Sequence, residues 1–286
     1  MNVNPIRLTL VRPSVKERLR NVPWWLVGII LLAVSVFVLI TTNPAYNDAF
    51  NFIKAGLVVT LSTTFFAFVV ALVLGLLAGL GRISENTFLI NLSTFYVEVI
   101  RGIPMLVLIF FIALVGVPAV VDLFKSIGAW LATSGVLGAT NFLTNAKGSS
   151  VPMNIRAIIA LSITYGAFLA EIFRAGIQSI DKGQMEAARS QGMTRWQAMR
   201  YIILPQAIRN VMPALGNDFI SMLKDSSLVS ILAVRDITQI ARIYAGNTFQ
   251  YQTTYITLAI LYLTMTLLLS FLLKFLEKRT RQNERR

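Results

Sequence analysis

The ten residues "NDFISMLKDS", 217–226, place two carboxylates, an ammonium, an amide and two hydroxyls inside an otherwise apolar stretch. On a helix, Asn217, Asp218, Ser221, Lys224 and Asp225 fall in one stripe about 120° wide, with Phe219, Ile220 and Leu223 outside it. Charges in a lipid-facing position are costly and by default mark function. The stripe must therefore face a partner helix or a watery cavity. It is either an ion cluster that holds a bundle together or the lining of a polar path. Two more charged pairs, Glu98/Arg101 and Glu171/Arg174, are spaced i, i+3, so each can neutralise itself on one helix face. In "RGIP", Gly102 and Pro104 favour a kink beside Arg101. The better reading of these pairs is structural; a gate at the kink is the lesser one. Thr60, Thr63 and Thr64 suit interhelical hydrogen bonds more than ligand contact.

Other chemistry is excluded. The chain has no Cys and no His, so disulfides, thiolate nucleophiles, His bases and His-ligated metals are impossible. No nucleophile–base motif stands out, which weighs against a membrane enzyme. No G-x-x-x-x-G-K-[ST] occurs, nor any Gly-Lys pair, so the phosphate cradle of a P-loop is missing.

The elements that must position these residues are apolar helices. Of 286 residues, 56% are hydrophobic and only 14% charged, against about 25% charged in soluble domains. Mean hydropathy is +0.68. These values indicate an all-α, polytopic helical membrane protein. A spanning helix needs about 20 mostly apolar residues, and six segments qualify: 24–41, 53–80, 92–117, 155–177, 214–234 and 251–276. The first is too long for a signal sequence and reads as a retained helix. Between the third and fourth lies an insert, 118–154, whose apolar piece "LFKSIGAWLATSGVL" is too short to span and reads as a surface or re-entrant helix. The chain divides into 1–52, a basic segment with an extra helix; 53–278, the transmembrane domain; and 279–286, a basic tail.

The net charge of +13 would suggest nucleic acid in a soluble protein. Here it fits the cytoplasmic bias of Lys and Arg, so no nucleic-acid partner is expected. Arg7, Arg12, Lys16, Arg18 and Arg20 precede the first span, and the tail is basic. The loop 42–52 has no Lys or Arg, and the insert holds only Lys125 and Lys147. Six spans with both termini inside and the insert outside satisfy the rule.

A long basic stretch, "MEAARSQGMTRWQAMRYIILPQAIRNVMP", separates the fourth and fifth spans. It reads as two short amphipathic helices. The first is capped at its C-terminus by Gly192; the second is capped at its N-terminus by Thr194 and ends at Pro205. Trp196, Met199, Tyr201, Ile202 and Ile203 ride on them. A helix pair bound to anionic lipid is one reading. The spacing supports another. Glu186-Ala187-Ala188, Gly192, and Ile202-x-Leu204-Pro205 match in full register the EAA motif. The stretch thereby resembles the membrane subunits of bacterial ABC importers. "AEIFRAGIQSIDKGQ" before it, "QAIRNVMPALGNDFISMLKDSSL" after it and "RGIPMLV" at 101–107 are similar to the polar amino-acid permease branch. That branch often has Thr at Ile103 and Glu at Asp218. The likeness runs from about residue 56 to the end; the first helix and the insert lie outside the smaller members' pattern.

The resemblance implies a coupling loop, 181–210, in which Glu186, Ala187, Ala188, Gly192, Trp196 and Pro205 dock on a separate ATPase subunit. That partner would use ATP and Mg, and this chain would bind no cofactor and no metal. It further implies a second permease subunit, identical or paralogous, an extracytoplasmic binding protein, and a bacterial inner-membrane location. Positions around 217–225 would line the translocation path. There Lys224 could meet an amino acid's carboxylate, and Asp218 or Asp225 its ammonium or a cationic side chain. Basic or glutamine-like substrates follow. A secondary transporter or channel using the same charges directly is the rival reading.

Overall fold

The computed structural model describes residues 38–134, 143–145 and 148–283, with residues 28, 31, 34 and 35 before them. Most of the span expected at 24–41, the basic residues before it, the middle of the insert and the last three residues of the tail lie outside the described residues. The chain forms two compact units, 1–47 and 48–286.

Among the described residues all regular structure is helical. In chain order, α1 is Pro44–Ile53, followed by a 3-10 turn at Lys54–Gly56; α2 is Leu57–Arg82 and α3 is Thr87–Gly102. Helix α4 spans Met105–Thr133 and α5 spans Met153–Gln178. Helices α6, Lys182–Ser190, and α7, Arg195–Ala198, are short. Helix α8, Leu204–Asp225, is followed by a 3-10 segment, Ser226–Leu232, then by α9, Ile237–Thr248, and α10, Tyr251–Asn283. Four segments are long and apolar enough to cross a membrane: Pro44–Arg82, Met105–Thr133, Met153–Gln178 and Tyr251–Leu276. These four do not establish the expected count of about six.

Four expected elements are drawn differently, among them the span at 214–234, whose α-helix begins at Leu204 and ends at Asp225, where a 3-10 segment follows. The span at 92–117 is two helices. Proline forces the residue before it out of the helical region, and Ile103 is extended, with φ −109° and ψ 137°. The kink expected at "RGIP" is therefore a full break. Helix α4 restarts behind Pro104 and runs 29 residues, so the described part of the short apolar piece of the insert continues a long helix instead of standing alone. The helix expected to stop at Pro205 also runs on. The segment Met199–Ile203 is a π-turn that leads directly into α8. A second π-turn, Phe111–Gly116, lies inside α4 just before Pro118. Each widened turn ends two residues ahead of a proline. A proline cannot donate to the carbonyl four residues back and its ring crowds that carbonyl. An extra residue in the preceding turn relieves both, so the helix bulges instead of breaking.

Helices α2 and α5 form the densest interface. Small residues let their backbones approach: Ala67, Ala71, Gly75, Ala78 and Gly79 on α2 meet Ala160, Gly166, Ala167 and Ala170 on α5, all buried. A Cβ at Gly75 would lie 2.6 Å from the Cβ of Leu169, and one at Gly79 would lie 2.9 Å from the Ala170 carbonyl oxygen. Ser162 Oγ donates to the Ala67 carbonyl at 3.1 Å. Of the three threonines, Thr60 makes the expected interhelical bond, its Oγ1 accepting from Ile237 N at 3.1 Å, whereas Thr64 bonds back to Thr60 within its own helix. Sequence reading missed Arg156. It is buried at the start of α5, and its guanidinium donates to the carbonyls of Val151 at 3.1 Å, Ala113 at 3.1 Å and Gly148 at 2.5 Å. One side chain thus ties the end of the insert to the π-turn of α4.

Candidate functional sites: a basic helical elbow and a polar stripe

Helices α6 and α7 form an elbow whose geometry is set locally. The Asp181 carboxylate caps α6 by accepting from Gly183 N at 2.6 Å. At the other end Gly192 adopts φ +86°, its N–H bonds the Arg189 carbonyl at 2.9 Å, and Met193 N–H bonds that of Ala188 at 3.2 Å. That bond pair is a Schellman motif, which favours glycine because a Cβ is strained in the left-handed region. Thr194 then opens α7 with a capping box: its Oγ1 accepts from Gln197 N at 3.3 Å, and Gln197 Oε1 accepts from Thr194 N at 2.8 Å. The Gly192 and Thr194 caps are where the residue types placed them.

The elbow has two faces. Ala198 and Ile203 are buried, and Ile203 packs with Ile177, Ala207, Met199 and Ile202 against the end of α5. Glu186, Ala187, Arg189, Arg200 and Pro205 are exposed, and Trp196 and Tyr201 are 65% and 63% exposed. Ala188 is buried. Arg195 forms an ion pair with Glu85, in the loop between α2 and α3. A cavity of about 480 Å³ separates the elbow from the helix ends, walled by Ile83, Ile177, Met185, Met199 and Ile203.

The i, i+3 charge pairs meet different fates. Glu171 and Arg174 pair as spaced. Glu171 also accepts from Arg82 at 2.7 Å, and Arg82 reaches Glu98 at 3.4 Å. Glu98 therefore pairs across to α2 instead of with Arg101. Arg101 instead lies over the ring of Phe168, 5.9 Å from its centroid. Pro104 is the N-cap residue of the helix beyond the break.

The polar stripe lies on α8. Its opposite side, Leu215, Met222 and Leu223, is buried, whereas Asn217 and Lys224 are exposed and Asp218, Ser221 and Asp225 are half-buried. Asn217 and Lys224 thus face away from the chain's own core, whereas Asp225 borders it. Among the described residues no ion pair joins Lys224 to either aspartate. Asp225 is held by Tyr165, whose hydroxyl donates to Oδ2 at 2.6 Å. Phe219, outside the stripe, packs on Phe68 with ring centroids 4.7 Å apart. Tyr165 gave no sequence signal, because only the packing of α5 on α8 brings it to the acid.

Residues 71–282 match the family described as binding-protein-dependent transport system inner membrane component. Among curated relatives, the probable glutamine ABC transporter permease protein GlnM of Bacillus subtilis is 38% identical over 86% of this chain and 98% of its own length. The probable amino-acid permease protein YxeN of the same organism is 37% identical over 81% and 92%. The crystal structure of an amino acid ABC transporter with histidines superposes with a TM-score of 0.63 at 39% identity, over 82% of this chain and 95% of that one. An inward-facing MetNI methionine ABC transporter, at 21% identity and a TM-score of 0.56 over 78% and 91%, shares the fold.

Proposed function

The chain belongs to the family of binding-protein-dependent transport system inner membrane components, and from that premise we propose that it is the permease subunit of an ATP-driven importer of polar amino acids. As a transport subunit it leaves ATP hydrolysis, with its Mg, to separate ATPase subunits. One observation carries the coupling reading: α7 of the elbow and the polar stripe lie on one continuous helix. From Arg195 through the π-turn to Asp225 the helix is uninterrupted, a length of about 46 Å at 1.5 Å per residue. A push on α7 passes along this helix, through the π-turn and past Pro213, to Asp218 and Asp225. The exposed Trp196, Tyr201 and Glu186 suit a docking surface: large amphipathic rings that fill a partner's pocket, with a charge to fix orientation. Ile203 and Met199 anchor the same element to the bundle, so displacement is not lost in slack.

The stripe supports the substrate class. Two acids and one base fit a zwitterion with a cationic or amide side chain, and an acidic side chain would meet uncompensated like charge. The relatives named for amino acids and glutamine agree. A second permease subunit, identical or paralogous, covers the stripe, since charges facing lipid are costly. An extracytoplasmic binding protein delivers substrate. The elbow and both termini face the cytoplasm of a bacterial cell and the insert lies outside, as the Lys and Arg distribution requires. With no native cysteine in the background, Ser150→Cys reports the side directly: labelling from outside only is expected.

The test is uptake in proteoliposomes holding the permease, its ATPase and its binding protein. Uptake of arginine and glutamine that needs ATP and exceeds glutamate uptake is expected. Uptake that proceeds without ATP and follows an ion gradient would establish the secondary-transporter reading instead.

A further inference from the structure

Arg101 is a cation with no carboxylate within ion-pair distance among the described residues, although its charge acts on Glu171. It sits at the last turn of α3, next to the break, and is exposed. Its sequence neighbour Glu98 bonds Arg82, and Glu171 bonds Arg82 and Arg174. Among the described residues Arg101 makes no ion pair. Its recorded contact is with the face of Phe168, a residue about 22 Å from one end of α5 and about 15 Å from the other at 1.5 Å per residue. Arg101 therefore lies level with the middle of α5. A guanidinium resting on a ring keeps the donors along its edge available for a planar, bidentate acceptor.

The same face of α5 carries the opposite charge one turn away. Tyr165, three residues before Phe168, has its ring 6.1 Å from that of Phe168. It is 3% exposed, and its hydroxyl donates to Asp225. Two rings on successive turns thus hold a cation at one end and a carboxylate at the other. A molecule with one charge of each sign matches this strip. Lys224 is the weaker receptor for the anionic end, because it shares its helix stripe with Asp218 and Asp225, which offset its charge.

We propose that Arg101 receives the carboxylate of the transported amino acid and that Tyr165 positions Asp225 to meet its cationic group; this rests on the amino-acid permease reading above. Specificity for α-amino acids as a class then resides at the α3–α4 break. The choice among them resides at the Tyr165–Asp225 end.

The test is equilibrium binding to the permease–ATPase complex in nanodiscs, without the binding protein, so that only this site is read. Radiolabelled arginine and glutamine are the probes, and argininamide, which lacks the carboxylate, is the competitor. Wild type is expected to bind both amino acids and to bind argininamide weakly. Arg101→Gln is expected to weaken both amino acids roughly tenfold, the loss of one charge-assisted pair, and to leave argininamide unchanged; Arg101→Lys falls between. Tyr165→Phe is expected to weaken arginine by roughly threefold and glutamine by under about twofold, the size of a single neutral donor. Unchanged amino-acid affinity in Arg101→Gln would overturn the assignment. So would a parallel loss of argininamide, which would place Arg101 in the Glu171 ion network as a packing residue. A wild-type complex that binds neither amino acid would sink the amino-acid substrate reading and the proposal with it. Arg101→Lys, which keeps the charge, guards against a variant that fails to assemble.

Discussion

The elbow and the polar stripe sit at two ends of one helix, yet their structures have different origins. Every decisive bond in the elbow spans five residues or fewer: Asp181 to Gly183, Ala188 to Met193, Thr194 to Gln197. In the stripe the decisive bond joins Tyr165 to Asp225, 60 positions apart. Residue type dictates the turn and the caps of the elbow, while packing of Ile203 on α5 and the Arg195–Glu85 ion pair hold it to the bundle. The stripe acquires its meaning from what the bundle places beside it. Its helix also depends on the bundle, since α8 alone carries Pro213 and two acids. A locally determined lever attached to a globally determined site can move without losing its own shape.

This contrast can be broken by substitutions whose effects should rank by range. The largest effect is expected where α2 meets α5. In Gly75→Leu the new side chain collides with Leu169 Cβ and the Gly166 carbonyl, neither of which can rotate away. Overpacking of this kind costs about 3 kcal/mol or more, and the bundle that presents Tyr165 to Asp225 should not assemble. Loss of the monodisperse peak in detergent would show it; a folded, transporting variant would mean that the stripe does not depend on that interface.

A smaller and separable effect is expected at Gly192. Nothing lies within 4 Å of a Cβ built there, so the obstacle is the positive φ alone, about 1–2 kcal/mol for an ordinary residue. Gly192→Val should leave the protein folded in the membrane while misdirecting α7, so that ATPase association or coupled uptake falls. Gly192→Asn, which tolerates this conformation, should keep most of both. Equal loss in the two variants would show that size, and not backbone conformation, matters at the joint. The smallest effect is expected for Thr194→Ala, which removes one half of the capping box, about 1 kcal/mol. Uptake should fall modestly and thermal stability of the bundle should not change. A large drop in bundle stability would contradict the local character of the elbow.

The sequence by itself determined the class, the caps and the charges. Apolar runs without ionisable groups leave few alternatives to membrane helices, since an unpaired backbone group in hydrocarbon is too costly. Gly192 and Thr194 are read correctly because a positive φ and an N-cap each admit few residue types. The stripe on α8 is read correctly because helical period alone places five polar residues on one side. Proline effects were half legible: a disturbance at Pro104 and Pro205 is certain from chemistry, but its form is not. At Pro104 the extended Ile103 makes it a break. At Pro205 and Pro118 a π-turn absorbs it, and that choice depends on the tertiary packing that holds both halves of the helix in line. Pairing of charges lay furthest from the sequence. The i, i+3 rule gave Glu171 to Arg174 correctly and gave Glu98 to Arg101 wrongly, since Glu98 pairs with Arg82 from another helix. Only the tertiary structure decided that Arg101 is left to an aromatic face, that Arg156 is satisfied by three carbonyls, and that Tyr165 holds Asp225. The physical reason is common to all three: a side chain's partner is set by which elements the fold brings beside it, and each of these partners lies on another segment of the chain.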